Sequence, residues 1–500
     1  MGYFIGMDIG TQSTKAVVVD EKGNLVAQSS KSYPVDTPRV GWAQIEGEIF
    51  LKASFEVLED LMNSLDESVK RNLAAIAISG LYGGAGIPVD ENIEPIYPCL
   101  IWMDRRAIRE TEWVKNNIPE EKLISITGNY VDSYYGFTKI LWIKNNESEV
   151  WKRTNLFITP KDYVIYHLTG RVIIDHSSAG NLGGLYDLKS RSWSSEMSEL
   201  LGIPLEKLPK DIVYSTEVVG EIKDDVAKEL GLPKGLKVIA GGIDAPVAQL
   251  SAGSVESGDQ VVMLGTSMCW GFLHDGEKVA KSLVSFPYVV NGETTVYTFG
   301  GGATSGAVIS WFVSNLMEQS ENVYERLEEG ARKIREGSEG LILLPYFMGE
   351  RSPIWDPFAK GVLFGLNLKH DKYHIYRAFM EGVAYSLKHN MEEAEKAGIS
   401  LPETIAIVGG GANSDLWVQI MADVTGYRFV RIKGNVEAPL GDAFLACYGT
   451  GECESVKEIK NWTALEKRFA PRKFDVYEKQ YSIYKELYER TKDLMKGLIG

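Results

Sequence analysis

The stretch Asp8-Ile9-Gly10-Thr11-Gln12-Ser13-Thr14-Lys15 sets a carboxylate, a glycine, three hydroxyls and a lysine between two apolar runs, Tyr3 to Met7 and Ala16 to Asp20. A tight turn of this make-up aims backbone N–H groups and hydroxyls at an anion. Lys15 adds a point charge suited to phosphate, and Asp8 suits a hydrated Mg²⁺. Asp8 is thus a candidate metal residue, and Thr11, Ser13, Thr14 and Lys15 are candidate phosphate residues. An ordinary hairpin rich in Gly, Ser and Thr would look the same locally.

The design recurs at half-length. Asp259 to Phe272 is again an apolar strand, a Leu264-Gly265-Thr266-Ser267 turn and a returning strand. Two such hairpins point to two related domains with a nucleotide between them. Further glycine clusters end strands. Gly300-Gly301-Gly302 follows Thr295 to Phe299, and Gly409-Gly410-Gly411-Ala412-Asn413 joins Ile405 to Val408 to a helix. Such a junction lies flat against a nucleotide and directs amides at its phosphates. Neither is a P-loop or a G-x-G-x-x-G.

Gly241-Gly242-Ile243-Asp244 stands at a strand end beside a helix start. A carboxylate there can take a proton from a bound hydroxyl; helix capping is the plainer use. The apolar strand Leu73 to Ser79 runs into Gly80-Leu81-Tyr82-Gly83-Gly84-Ala85-Gly86. Ligands gather at such carboxyl ends of α/β strands. Trp102, Asp104 and Arg105 follow another apolar run, where they could bind polar hydroxyls or form a surface ion pair of little weight. Tyr130, Tyr134 and Tyr135 flank a possible cleft.

These groups need α/β scaffolding. Antiparallel strands open the chain, with Leu25 to Ser32 as the third. Glu46 to Leu65 has helical periodicity, with Ile49, Phe50, Ala53, Val57, Leu58 and Leu61 in one stripe. His370 to Ala397 reads as a long helix and Pro439 onward as a helix of small residues. From Lys457 the chain is charged and reads as a peripheral, largely helical end. At 500 residues one core is too few, and the division expected is 1–250 and 251–500. The net charge of −15 disfavours nucleic acid and anionic membranes as partners. There is no membrane-spanning run and no signal-peptide pattern at the N-terminus. The four cysteines show no C-x-x-C and read as buried free thiols in a reducing, cytoplasmic setting.

Taken together, Asp8 to Lys15, Gly241 to Asp244, Leu264 to Ser267, Gly349-Glu350-Arg351-Ser352-Pro353 and Gly409 to Ala412 resemble, in order, the motifs of the FGGY carbohydrate kinases. Gly361 to Tyr385 is similar to that family's second signature. The resemblance spans nearly the whole chain. It implies two actin-like (ribonuclease-H-like) ATPase domains, with ATP-Mg²⁺ and a sugar or polyol in the cleft between them. It implies Mg²⁺ at Asp8, largely through water, and Asp244 as general base on the acceptor hydroxyl. Phosphates would meet Thr11, Thr14, Lys15, Gly265 and Thr266. Gly409, Gly410, Gly411 and Asn413 would border the adenosine, with Gly301 among the nucleotide residues. Substrate would meet Tyr82, Gly83, Trp102, Asp104 and Arg105.

Xylulokinases typically carry Met-His-Gly-Ala where this chain has Tyr82-Gly83-Gly84-Ala85, and the Arg-Glu pair of glycerol kinases is absent. The chain looks most like xylulokinase-type members; gluconate, ribulose and other polyols are alternatives. Homodimers are common among relatives. A filament-forming or chaperone-type actin-like ATPase would share the hairpins but would not need Asp244 in its turn.

Overall fold

A computed structural model describes residues 2–81, 83–318, 320–433 and 437–498. In the N-terminal half, β1 (Tyr3–Ile9) and β2 (Ser13–Asp20) form an antiparallel hairpin, continued by β3 (Leu25–Ser32). Helix α1 (Gly47–Ser64) lays Phe50, Ala53, Val57, Leu58 and Leu61 on this sheet. β4 (Leu73–Gly80) runs parallel to β1. Helix α2 (Pro160–Thr169), β5 (Val218–Glu221) and β6 (Lys237–Ile239) follow, and the sheet order is β5-β6-β4-β1-β2-β3. Helix α3 (Asp244–Ser251) leads into the second half.

The second half repeats the plan. β7 (Gln260–Leu264) and β8 (Met268–His274) form a hairpin, extended by β9 (Val284–Pro287) and β10 (Val296–Gly300). After α4 (Lys372–Lys396), β11 (Thr404–Val408) runs parallel to β7. Then come α5 (Asp415–Thr425), β12 (Arg428–Lys433), α6 (Ala438–Gly449), β13 (Ala464–Phe469) and α7 (Asp475–Lys496). The sheet order β9-β10-β8-β7-β11-β12-β13 keeps the same kernel, a hairpin flanked by parallel strands. This is the two-fold actin-like α/β architecture.

Three features differ from expectation. Residues after Lys457 are not peripheral. β13 closes the C-terminal sheet, and α7 buries Tyr477, Tyr481, Tyr484 and Tyr488 in its core. Alternating charges on an edge strand, and tyrosines spaced along a charged helix, disguise both. Helix α6, although late in the chain, packs on β1 and β4 of the N-terminal sheet. Finally, Cys447 and Cys453 are joined in a disulfide, their Cα atoms 5.4 Å apart, while Cys99 and Cys269 are free. The α6 terminus turns back through Gly451 to bring the two together, a proximity that spacing alone does not announce. Among the described residues no helix is long and apolar enough to cross a membrane.

Candidate active site

The β1–β2 hairpin pairs Asp8 with Lys15 and Ile9 with Thr14, and Gly10 N–H closes the turn on Ser13 O at 3.0 Å. Facing it are the β7–β8 turn and the start of α3. Between them lies a cavity of about 400 Å³ whose walls include Asp8, Thr11, Lys15, Trp102, Asp244 and Gly265. Residues remote in sequence thus meet at the end of the sheets where β1 and β7 finish and α3 begins.

Asp244 is the first residue of α3, and its Oδ1 accepts from Ala245 N at 2.7 Å. Its carrier turn is held from behind. Gly80 N–H donates to Gly242 O at 3.1 Å, and Ile243 N–H donates to Ser177 Oγ at 3.1 Å. Lys161, on α2, donates to Ala240 O at 3.1 Å while paired with Asp162 and Asp175 in the interior. Burial and the nearby Asp8 charge raise the Asp244 carboxyl well above the ordinary carboxylate range. Burial likewise pushes Asp8 up to about 6, against the opposing pull of the Ser79 hydrogen bond and the Lys15 charge. Both carboxyls line the same cleft, and the Asp8 charge repels that of Asp244, so the site favours a cation or a proton there.

The hairpin residues divide by facing. Thr11 lines the cavity, and its Oγ1 accepts from Trp102 Nε1 at 3.0 Å. Ser13 is half-buried. Thr14 is completely buried, with Oγ1 3.4 Å from the Tyr33 hydroxyl, behind the wall. Lys15 reaches Glu437 at 3.1 Å across the cleft mouth. Gly265 and Thr266 are exposed at the second turn, where their carbonyls anchor Ser305, Gly306 and Ala307. Gly301 N–H donates to Ser352 Oγ at 2.7 Å, within the second domain. Gly410, Gly411 and Asn413 form a short 3₁₀ turn after β11, continuing the cavity wall from Gly409.

At the other end, Gly83 has φ +68°, and a Cβ there would stand within 3.0 Å of Trp102 and Tyr134. Tyr82 lies outside the described residues. Trp102 lines the cavity. Asp104 does not: it is fully buried and accepts from Ala43 N, Arg106 N and Arg106 Nε at 2.7, 3.0 and 2.8 Å. It braces the Trp102 loop. Arg105 pairs with Asp132 at the edge of this region.

Arg351, from the Gly349-to-Pro353 motif of the second domain, lies over the Trp102 ring at 5.7 Å and lines the cavity. Other site residues carried no local signal. Trp355 reaches the same end, 5.0 Å from Tyr130 and 5.9 Å from Tyr134, with its Nε1 donating to Ser282 O at 2.7 Å. Lys139 is buried and donates to the carbonyls of Gly83, Ser133 and Tyr134, at 2.8, 2.8 and 2.6 Å, and burial brings it down to about 7. Only the contacts reveal these. Glu437 had no marker either.

The donor set fits a nucleotide-borne divalent cation. One or two carboxylates face the cavity, and Mg²⁺ takes most remaining ligands from phosphates and water. The glycine and hydroxyl turns on both sides fit the phosphates themselves.

The N-terminal domain model of the FGGY family of carbohydrate kinases matches residues 3–251, and its C-terminal domain model matches residues 260–450. The chain is 31% identical to a xylulose kinase of Bacillus subtilis, covering 100% of this chain and 99% of that protein. The structure is similar to a ligand-bound xylulose kinase from Lactobacillus acidophilus, with a TM-score of 0.91, 29% identity and 98% of each chain covered. It is also similar to a gluconate kinase from Lactobacillus acidophilus, with a TM-score of 0.90, 29% identity and 98% of each chain covered. With both family models matched in order and two hairpins facing one cleft, the chain belongs to the FGGY family of carbohydrate kinases.

Proposed function

We propose that this chain transfers the γ-phosphate of ATP to a hydroxyl of a ketopentose such as xylulose. The observation that carries this reading is the shared cavity, with Asp8 and Asp244 on its walls between the Thr11 and Gly265 turns. A ketopentose is favoured over an aldonate by the similarity to xylulose kinases, at 31% identity over the whole chain for that of Bacillus subtilis against 28% for its gluconokinase.

In this reading Asp244 accepts the proton of the attacking hydroxyl. Lys15 and the amides of the Thr11 and Gly265 turns hold phosphate oxygens, and alignment supplies most of the rate. Mg²⁺, when bound beside Asp8, supplies charge neutralisation for the transferred group. Neutralising Asp8 also removes the like charge that raises Asp244, which readies Asp244 as a base. Trp102 and Arg351 close the sugar end against water. The reaction would take place in the cytoplasm. A coupled ADP-release screen across ketopentoses, aldonates, polyols and glycerol tests the assignment. The highest kcat/KM is expected with a ketopentose; a preference for gluconate would overturn the substrate, and sugar-independent ATP hydrolysis would overturn the kinase reading.

A further inference from the structure

Asp8 and Ser79 are register partners on the parallel strands β1 and β4. Ser79 Oγ lies 3.2 Å from Asp8 Oδ1 and 2.5 Å from Asp442 Oδ2. A serine hydroxyl has one proton to donate. If both carboxyls were ionised, one would face the Ser79 lone pairs with no hydrogen between. One of them therefore brings its own proton and donates it to Oγ.

The surroundings identify which. Asp442 is 0% exposed, and its Oδ1 finds no hydrogen-bond partner among the described residues. No ion pair to it forms among them either. An unpaired buried carboxylate is costly. Burial and the Asp8 charge raise Asp442 well above the ordinary carboxylate range. Asp8, by contrast, lies on the cleft wall with Lys15 beside it.

Helix α6 also sits where it can set the geometry of both cleft carboxyls. A Cβ on Gly6 would stand 1.9 Å from Pro439 O, and a Cβ on Gly441 would stand 2.2 Å from Val247 O. The helix is thus pressed between β1, which carries Asp8, and α3, which begins with Asp244.

We propose that Asp442 is a positioning residue, a carboxylic acid that donates to Ser79 Oγ and so commits the Ser79 proton to Asp8 Oδ1. One Asp8 oxygen is thereby held, and the other is left for a cation. The inference rests on the reading that Asp8 meets Mg²⁺. It concerns a residue that touches neither substrate nor metal.

The test compares Asp442→Asn, Asp442→Ala, Ser79→Ala and Asp8→Asn. Mg²⁺-dependent ATP binding by calorimetry, the Mg²⁺ half-saturation of turnover, the sugar KM and the melting midpoint are read for each. An amide N–H can replace the acid O–H, so Asp442→Asn should stay within about threefold of the parent in all of them. Asp442→Ala and Ser79→Ala should each weaken Mg²⁺-dependent ATP binding by about tenfold or more, with the sugar KM unchanged. Ser79→Ala carries the test if Asp442→Ala does not fold. If Asn is as damaging as Ala, Asp442 acts as an anion and the proposal fails. If neither Asp442→Ala nor Ser79→Ala changes Mg²⁺-dependent binding, it fails as well. An Asp8→Asn variant with parental Mg²⁺ dependence would instead remove the underlying reading of Asp8.

Discussion

Trp102 Nε1 donates to Thr11 Oγ1 at 3.0 Å, tying the Trp102 end of the cleft to the β1–β2 hairpin. The two ends of the cleft are therefore one mechanical unit. Arg351 of the second domain lies over the face of the same ring, so the indole is held from both halves of the chain.

Trp102→Phe keeps an aromatic face, though a smaller one, and removes the bond. A neutral hydrogen bond is worth about 1 kcal/mol net, so kcat/KM should fall by roughly five- to tenfold, chiefly in kcat, with the melting midpoint nearly unchanged. Steady-state kinetics with both substrates varied checks this. A change confined to the sugar KM would show that the bond serves sugar binding alone.

The acid limb of kcat/KM should lie near or above pH 6. Burial raises Asp8 to about 6, and burial with the nearby Asp8 charge raises Asp244 well above the ordinary carboxylate range. Above the limb both are available as anions; below it Asp244 already holds the proton it must accept. An ordinary aspartate would put the limb near about 4. A pH–rate profile decides, and full activity retained at about pH 5 would contradict the burial of these two carboxyls in one cleft.

Much of this architecture was legible in the residues, because the informative pattern was repeated. A single Gly-Thr-Ser turn says little, but the turns at Gly10 and Gly265 each follow an apolar strand and stand half a chain apart. Asp244 stood out as an acid inside a glycine turn. What stayed hidden depends on facing and on long-range packing. Nothing in Trp102-Met103-Asp104-Arg105-Arg106 tells that Asp104 and Arg106 turn inward together while Trp102 faces the cleft. Nothing local tells that α6 crosses to the N-terminal sheet. One mark was readable and passed over: Asp442 is the only acid in a helix otherwise built of Ala, Leu, Gly, Pro, Phe, Cys and Tyr. A lone carboxyl in so apolar a segment needs a partner, and Ser79 is that partner.

The Cys447–Cys453 bond closes a short loop at the end of α6, away from the cleft. Loop-closure arguments give such a bond about 2 kcal/mol. Reduction, or the Cys453→Ser variant, should lower the melting midpoint by a few degrees and leave kcat within about twofold. Thermal melts with and without reductant check the first part, and an assay in reductant checks the second. An unchanged midpoint would show that the bond adds no stability.

The central claim is that Asp244 takes the proton in a cleft that binds ATP independently of it. Asp244→Ala, assayed by single-turnover phosphoryl transfer alongside ATP binding, addresses it most directly. The predicted result is transfer slowed by about a hundred- to ten-thousand-fold with ATP affinity within a few-fold of the parent. Near-parental transfer by that variant would contradict the account.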